Sequence, residues 1–377
     1  MDHDTKLGRA RFGISALFFV HGSIYATWVS RIPAVQGRLQ LSPAILGTCL
    51  AGVGLGSLIS MPITGWLIAR HGSRLLCSVS SVAFGLVLVL PGAAWSALTL
   101  GIALTLFGAA AGSMDVSMNA QGVELERRYR TPIMSSLHAL FSLGGMAGSA
   151  LSAALAARAV APLTHFKVSA TAFAVATIAA LPMLIYESPP SVERGKKRLR
   201  VSTALAGLSA LAVCFLLSEG AMADWSSVYL RSSVNASPAV AASGYAFFSA
   251  LMAIGRICGD RLTARIGRVQ LVRYGSLLAA VGLAGALAIG TVPAALAGFA
   301  CVGAGFSVIV PLVFGAAGRL EDSTGPGLAA VTTVGYLGFL AGPPIIGFTA
   351  EHLTLRMAMG ILVLLSLLGS ALARFAA

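Results

Sequence analysis

The chain has 377 residues, of which 57% are hydrophobic and only 10% charged, with a mean hydropathy of +0.86. Soluble domains carry about 25% charged residues, so this composition excludes a soluble enzyme, a disordered chain and a small disulfide scaffold and indicates a multi-span α-helical membrane protein. Lys and Arg number 26 against 13 Asp and Glu, a formal net charge of +13. In a soluble protein that balance would indicate a nucleic-acid partner, and here it needs another source.

Lys6, Arg9 and Arg11 precede an apolar run from Phe12, in the order of a signal peptide. The run lacks a small-x-small cleavage site and a second span follows at once, which predicts a retained first transmembrane helix. A span needs about 20 apolar residues. Breaking the chain at charges, prolines and glycine-rich turns predicts twelve spans, near 12–30, 44–69, 74–92, 95–121, 132–157, 168–187, 201–231, 238–264, 271–290, 292–317, 326–350 and 354–374.

Span 1 carries His21, Tyr25 and Trp28 at i, i+4 and i+7, one polar-aromatic stripe. Polar groups avoid lipid, so the stripe is expected to face a cavity and bind a small organic ligand. Imidazole titrates near physiological pH, which makes His21 a candidate proton carrier as well. Between spans 2 and 3 runs Gly65-Trp66-Leu67-Ile68-Ala69-Arg70-His71-Gly72-Ser73-Arg74. Span 4 holds Asp115 and Asn119 on one helix face. Ionisable groups within spans are costly and are functional candidates by default. Glu124 and Glu126, beside Arg127, Arg128 and Arg130, read as a solvated or gate network, and His138 in span 5 as a packing histidine.

Ser188 to Arg200 is the longest polar stretch and falls at mid-chain. It predicts a linker, 188–200, between an N-terminal bundle, 1–187, and a C-terminal bundle, 201–377. Span 7 carries Glu219 near its middle and Asp224 nearer its outer end. Ser218, Met222, Trp225 and Tyr229 form a stripe that mirrors span 1. Glu219 is the second candidate for proton coupling or ligand binding, and Asp224 reads as an outer gate or loop anchor. A carboxylate taken out of water favours its neutral form unless a cation sits nearby. Arg256 and Asp260 in span 8, at i and i+4, read as a structural pair. Span 10 offers Ser307 and a bend at Pro311.

The five cysteines are scattered without metal or disulfide spacing. With both termini inside, nineteen of the 26 basic residues fall in inside segments, six in outside segments and one, Arg256, within a span. The positive-inside rule then accounts for the excess charge and puts both termini in the cytoplasm.

The two halves match at an offset near 195 residues. Ser42-Pro43-Ala44 recurs as Ser237-Pro238-Ala239, and Leu67-x-Ala69-Arg70-x-Gly72 as Leu262-x-Ala264-Arg265-x-Gly267. Leu125-Glu126 recurs as Leu320-Glu321, Leu143-Gly144-x-x-Ala147-Gly148 as Leu337-Gly338-x-x-Ala341-Gly342, and Trp28 as Trp225. Five ordered matches indicate parallel structural repeats.

Over its whole length the chain resembles the major facilitator superfamily: an all-α integral membrane fold of twelve transmembrane helices in two six-helix pseudo-symmetric bundles. The loop after span 2 keeps Gly65, Leu67, Arg70, Gly72 and Arg74 of the family's motif but has Ala69 where the family has the Asp of a cytoplasmic latch. The resemblance implies gating or structural roles for Gly65, Arg70, Gly72 and Arg74, and for Arg256, Asp260, Arg265 and Gly267 in the second half. The acid-x-x-x-Asn pattern of span 4 is similar to the fucose permease branch, which implies that Asp115 carries a proton beside Asn119. By the same resemblance spans 1, 4, 7 and 10 line the cavity, drawing His21, Tyr25, Trp28, Asp115, Asn119, Glu219, Met222 and Trp225 around a substrate.

The expectation is a monomeric secondary transporter in a bacterial inner membrane, in contact with lipid and moving a small organic solute, slightly in favour of a sugar. It needs no cofactor, with the proton as coupling ion, and no nucleic acid. Efflux of amphipathic compounds and a non-transporting receptor or scaffold are the alternatives. No Gly-Lys-Ser/Thr phosphate loop or catalytic constellation supports an ATP-driven pump or an enzyme.

Overall fold

The computed structural model describes residues 3–186, 202–320 and 324–377, without the side chains of 3–5, 260, 324–326, 328 and 329. Among these residues there is no strand, and twelve helices are long and apolar enough to cross a membrane. Spans 1 to 6 are Lys6–Leu39, Pro43–His71, Ser73–Ala93, Ala97–Tyr129, Met134–Ala157 and Pro162–Met183. Spans 7 to 12 are Thr203–Ser232, Pro238–Gly259, Arg268–Ile289, Val292–Gly318, Ala330–His352 and Leu355–Ala376. An even number of crossings leaves both chain ends on one side, the terminal side. The expected linker, 188–200, and the flanking bundle boundary lie outside the described residues.

Local chemistry sets the helix ends. Ser42 and Ser237 each accept a hydrogen bond from the third residue of the following helix, with proline at its first position. Ser96 and Thr99 form a capping box at span 4. Gly72 and Gly267 close the helices of spans 2 and 8, which run Pro43–His71 and Pro238–Ile266, at φ 81° and 86°, backbone that side-chain-bearing residues rarely adopt. The sequence repeat is thus also a repeat of caps.

Four spans depart from an uninterrupted helix of the expected length. Span 1 continues past Val29 through a turn at Ser30 and Arg31 into a short helix, Ile32–Leu39, started by Pro33. Span 4 runs on to Tyr129 because Glu124 pairs with Arg127 and Arg128 at 2.6 Å each. Glu126 is a cap rather than a solvated acid: it accepts from the backbone N–H groups of Ile133 and Met134 at 2.8 and 3.0 Å. Span 10 breaks at Ser307 and Val308. A proline ring clashes with the carbonyl four residues earlier, and that residue for Pro311 is Ser307. Span 3 ends its first helix at Val87, four residues before Pro91.

Within each half the same pairs of helices pack together. Span 1 lies on span 5 and span 2 on span 4, mirrored by span 7 on span 11 and span 8 on span 10. Glycines let these backbones touch. Gly108 faces the Val53 carbonyl and Gly303 the Phe248 carbonyl, while Gly144 faces that of Phe19 and Gly338 that of Val213. Between halves, span 2 packs on span 11 and span 5 on span 8. Gly47 meets the Pro343 carbonyl, Gly347 meets the Pro43 carbonyl, and Gly54 meets Leu340. Ile59, Ile102, Val175, Ile257, Val281 and Leu364 are exposed, as a lipid-facing surface requires.

Gly108→Leu forces a side chain into the backbone of span 2, and overpacking costs about 1–3 kcal/mol. It is expected to lower the unfolding midpoint of the detergent-solubilised protein. Gly101→Leu, with open space around its Cβ position, should leave the midpoint near that of the unsubstituted chain. Thermal unfolding of both variants is the measurement.

Candidate functional site

Near mid-depth, where spans 4 and 5 face spans 7, 8 and 11, polar side chains form a connected cluster. Asn119, one turn after Asp115, donates through Nδ2 to Asp115 Oδ1 at 3.1 Å and to the Asp115 carbonyl at 2.8 Å. The Tyr336 hydroxyl of span 11 donates to Asp115 Oδ2 at 3.4 Å. His138 Nε2 of span 5 lies 3.1 Å from Asn119 Oδ1. An amide oxygen only accepts, so this contact assigns the ring proton to Nε2.

Arg256 of span 8 joins the same cluster from the other half. Its Nη1 donates to Ser142 Oγ at 2.7 Å and to the His138 carbonyl at 3.3 Å, both on span 5. Its Nη2 lies 3.8 Å from Glu219 Oε1 on span 7, with side-chain exposures of 11% and 19%. Beyond the i, i+4 pairing expected with Asp260, Arg256 thus makes contacts across helices. The Asp260 side chain lies outside the described residues. His138, expected only to pack, is a bridging group: its ring contacts Phe18 edge-on at 5.3 Å while its polar edge and carbonyl serve Asn119 and Arg256.

The span 1 stripe divides. His21 is buried, edge-on to Phe84 of span 3 and Phe141 of span 5 at 5.0 and 5.4 Å. Trp28 is fully buried near Phe107 and Phe166. Both point into the first bundle's own core, not toward the second half. Tyr25 is half-buried and interacts electrostatically with Glu219, Asp224 and Tyr245 of the second half. The span 7 stripe behaves likewise, with Met222, Trp225 and Tyr229 fully buried and Tyr229 beside Phe299 of span 10. Asp115, Asn119, His138, Glu219, Arg256 and Tyr336 all retain partial exposure.

Gly65 has nothing near its Cβ position, and Arg70 turns back over the Trp66 ring of its own helix at 3.8 Å. Arg74 is half-buried at the start of span 3, and Arg265 is exposed beside Gly267. Toward the side opposite the termini, hydrogen bonds also join the halves. Ser227 donates to the Val29 carbonyl at 2.8 Å, Ser149 to the Ala242 carbonyl at 2.7 Å, and the Ala44 N–H to Glu351 Oε2 at 3.2 Å.

Sequence reasoning missed Tyr336 and Tyr245. A tyrosine inside a span, after Gly335 in the first case and Gly244 in the second, was the available signal. Among the described residues no group of three His, Cys, Asp or Glu side chains is placed to hold a metal.

A family model described as Major Facilitator Superfamily matches residues 13–325. An uncharacterized MFS-type transporter of Yersinia pestis is 36% identical over 358 residues, 95% of this chain and 93% of the relative. An uncharacterized transporter of Sinorhizobium fredii is 35% identical over 370 residues, 96% of each chain. Membrane protein MosC of Rhizobium meliloti is 33% identical over 347 residues, 91% of this chain and 84% of the relative. The fold is similar to a crystal structure of the nucleoside transporter NupG (TM-score 0.70, 11% identity, 97% of this chain and 98% of that one). It is also similar to the transporter FucP in the outward conformation (TM-score 0.68, 14% identity, 97% and 98% coverage). With twelve apolar helices and relatives of this kind along nearly its whole length, the chain is a multi-pass membrane transporter, not an enzyme, and belongs to the Major Facilitator Superfamily.

Proposed function

We propose that the protein is a proton-coupled secondary transporter that moves a small hydroxylated, sugar-like solute by alternating access. The observation that carries this reading is the mid-depth cluster in which Asp115 of one half accepts from Tyr336 of the other. A solute seated there would meet carboxylate acceptors, an amide, an imidazole and phenolic hydroxyls, the mixture that recognises several hydroxyl groups at once. Arg256 is already engaged by Glu219, so the site presents little free positive charge and favours an uncharged solute over an anion.

In this reading Asp115 carries the proton and Glu219, held by Arg256, responds to the rearrangement of span 8. Tyr25 and Asn119 contact the solute, and His138 positions Asn119. His21, Trp28, Met222 and Trp225 shape the bundles behind these groups. Gly72 and Gly267, the two repeated glycine caps, are the turns about which the terminal-side loops adjust, flanked by Gly65, Arg70, Arg74 and Arg265. The basic excess of the terminal-side segments supports cytoplasmic termini in a bacterial inner membrane, with the chain working as a monomer among lipids and with no cofactor besides the proton.

The test is reconstitution into liposomes with a panel of radiolabelled sugars, polyols, nucleosides and amphipathic drugs, with and without an inward proton gradient. Gradient-dependent accumulation of a hydroxylated solute is expected. Gradient-dependent extrusion of an amphipathic drug, with no accumulation of hydroxylated solutes, would replace this reading with efflux.

A further inference from the structure

Asp224 is 4% exposed and its Oδ1 has no hydrogen-bond partner among the described residues. It stands about two helical turns from the end of span 7 opposite the termini, where the halves meet. Ser227, one turn further on, donates to the Val29 carbonyl of span 1 at 2.8 Å, and Trp225 beside it is fully buried. The seam therefore closes over a carboxyl group.

The titratable groups near it are Tyr25 of span 1 and Tyr245 of span 8, with Glu219 five residues earlier on its own helix near the same two tyrosines. The cations of the neighbouring elements are engaged elsewhere. Arg31 donates to the Val160 carbonyl, Arg38 to those of Gly92 and Ala94, and Arg231 to that of Ala236. Arg256 holds Glu219 and span 5. Arg261 and Arg265 of span 8 and Arg374 of span 12 lie toward the terminal side, and Arg356 of span 12 stands against Gly290. From span 11, Glu351 accepts from the Ala44 N–H and His352 is exposed at the helix end. Span 10 carries no charged residue.

We propose that Asp224 is a proton-binding latch of the opposite-side seam, a site separate from Asp115: the seam closes when Asp224 carries a proton, and its ionisation favours opening. The physical reason is the difference between burying an acid and burying its anion. An ionised carboxylate without a cation is far costlier in a low-dielectric interior than a neutral carboxyl. The proton comes from, and returns to, the water on that side when the seam parts, and no other reactant is needed. The latch rests on the alternating-access reading.

The experiment uses the full chain in lipid nanodiscs, with spin labels at Gly37→Cys and Ser232→Cys across the seam. A second pair at Gly8→Cys and Gly318→Cys reports on the terminal side, and the unsubstituted chain controls for labelling of native cysteines. With rising pH the open-to-closed ratio at the seam should climb, by up to about tenfold per pH unit for one linked proton. Asp224→Asn should stay closed and flat across pH, Asp224→Glu should restore a pH profile, and Asp115→Asn should leave the seam's profile unchanged. A wild-type profile that survives in Asp224→Asn, or a flat wild-type profile while the terminal-side pair still moves, overturns the latch alone. Labels that move at neither side under any pH overturn it together with alternating access.

Discussion

Asp115→Asn should lower gradient-driven accumulation by about 100-fold, a size typical of losing a positioned proton-transfer group. Downhill exchange of the solute should stay within a few-fold of wild type. The substitution is nearly isosteric: its one amide oxygen can still accept from the Tyr336 hydroxyl, and Asn119 keeps its bond to the residue-115 carbonyl, so the cluster keeps most of its shape while losing the exchangeable proton and one acceptor. Uptake and counterflow measured on one liposome preparation separate the two effects. Equal loss of both would indicate damage to solute binding, and unchanged accumulation would remove Asp115 from the coupling step.

Arg256→Ala should be the most destabilising single change in the cluster. It removes a donor to Ser142 and to the His138 carbonyl and leaves Glu219 without its cation. Breaking a buried ion pair from one side costs about 3 kcal/mol or more, chiefly because a charge is left unpaired. The 3.8 Å separation and partial exposure of both groups put this site at the low end of that range. Adding Glu219→Gln should recover part of the loss, because the uncompensated charge goes with it. Unfolding of the four members of the double-mutant cycle in detergent measures the coupling. A cycle that closes with purely additive effects would show that the pair contributes nothing.

The parts of the fold read directly from the residues were those with local causes. Span number follows from apolar run length and the break in span 10 from Pro311, while the Ser-Pro and Arg-x-Gly segments, read as repeats, prove to be helix caps. The site was less legible. A helix inside a two-bundle protein has one buried face toward its own bundle and another toward the other half. The spacing of His21, Tyr25 and Trp28 therefore identified a non-lipid surface without saying which side each residue takes. Arg256 and Asp260 matched a local pairing rule, and that rule could not indicate that Arg256 also reaches Ser142 and Glu219 on other helices. The contact between Tyr336 and Asp115 spans most of the chain, and single-sequence periodicity carries no information about such pairs.

The seam between spans 2 and 11 bears on how sharply the molecule switches. There Gly47 and Gly347 meet proline carbonyls and Gly54 meets Leu340. Such contacts act only at short range: a gap of about 0.5–1 Å already forfeits a quarter to a half of each attraction. A partly separated seam thus loses much of its cohesion before water has room to enter and compensate. Half-open forms are disfavoured relative to both ends of the motion. Crossing between them should look like a snap rather than a drift, with dwell times in two states and little population between.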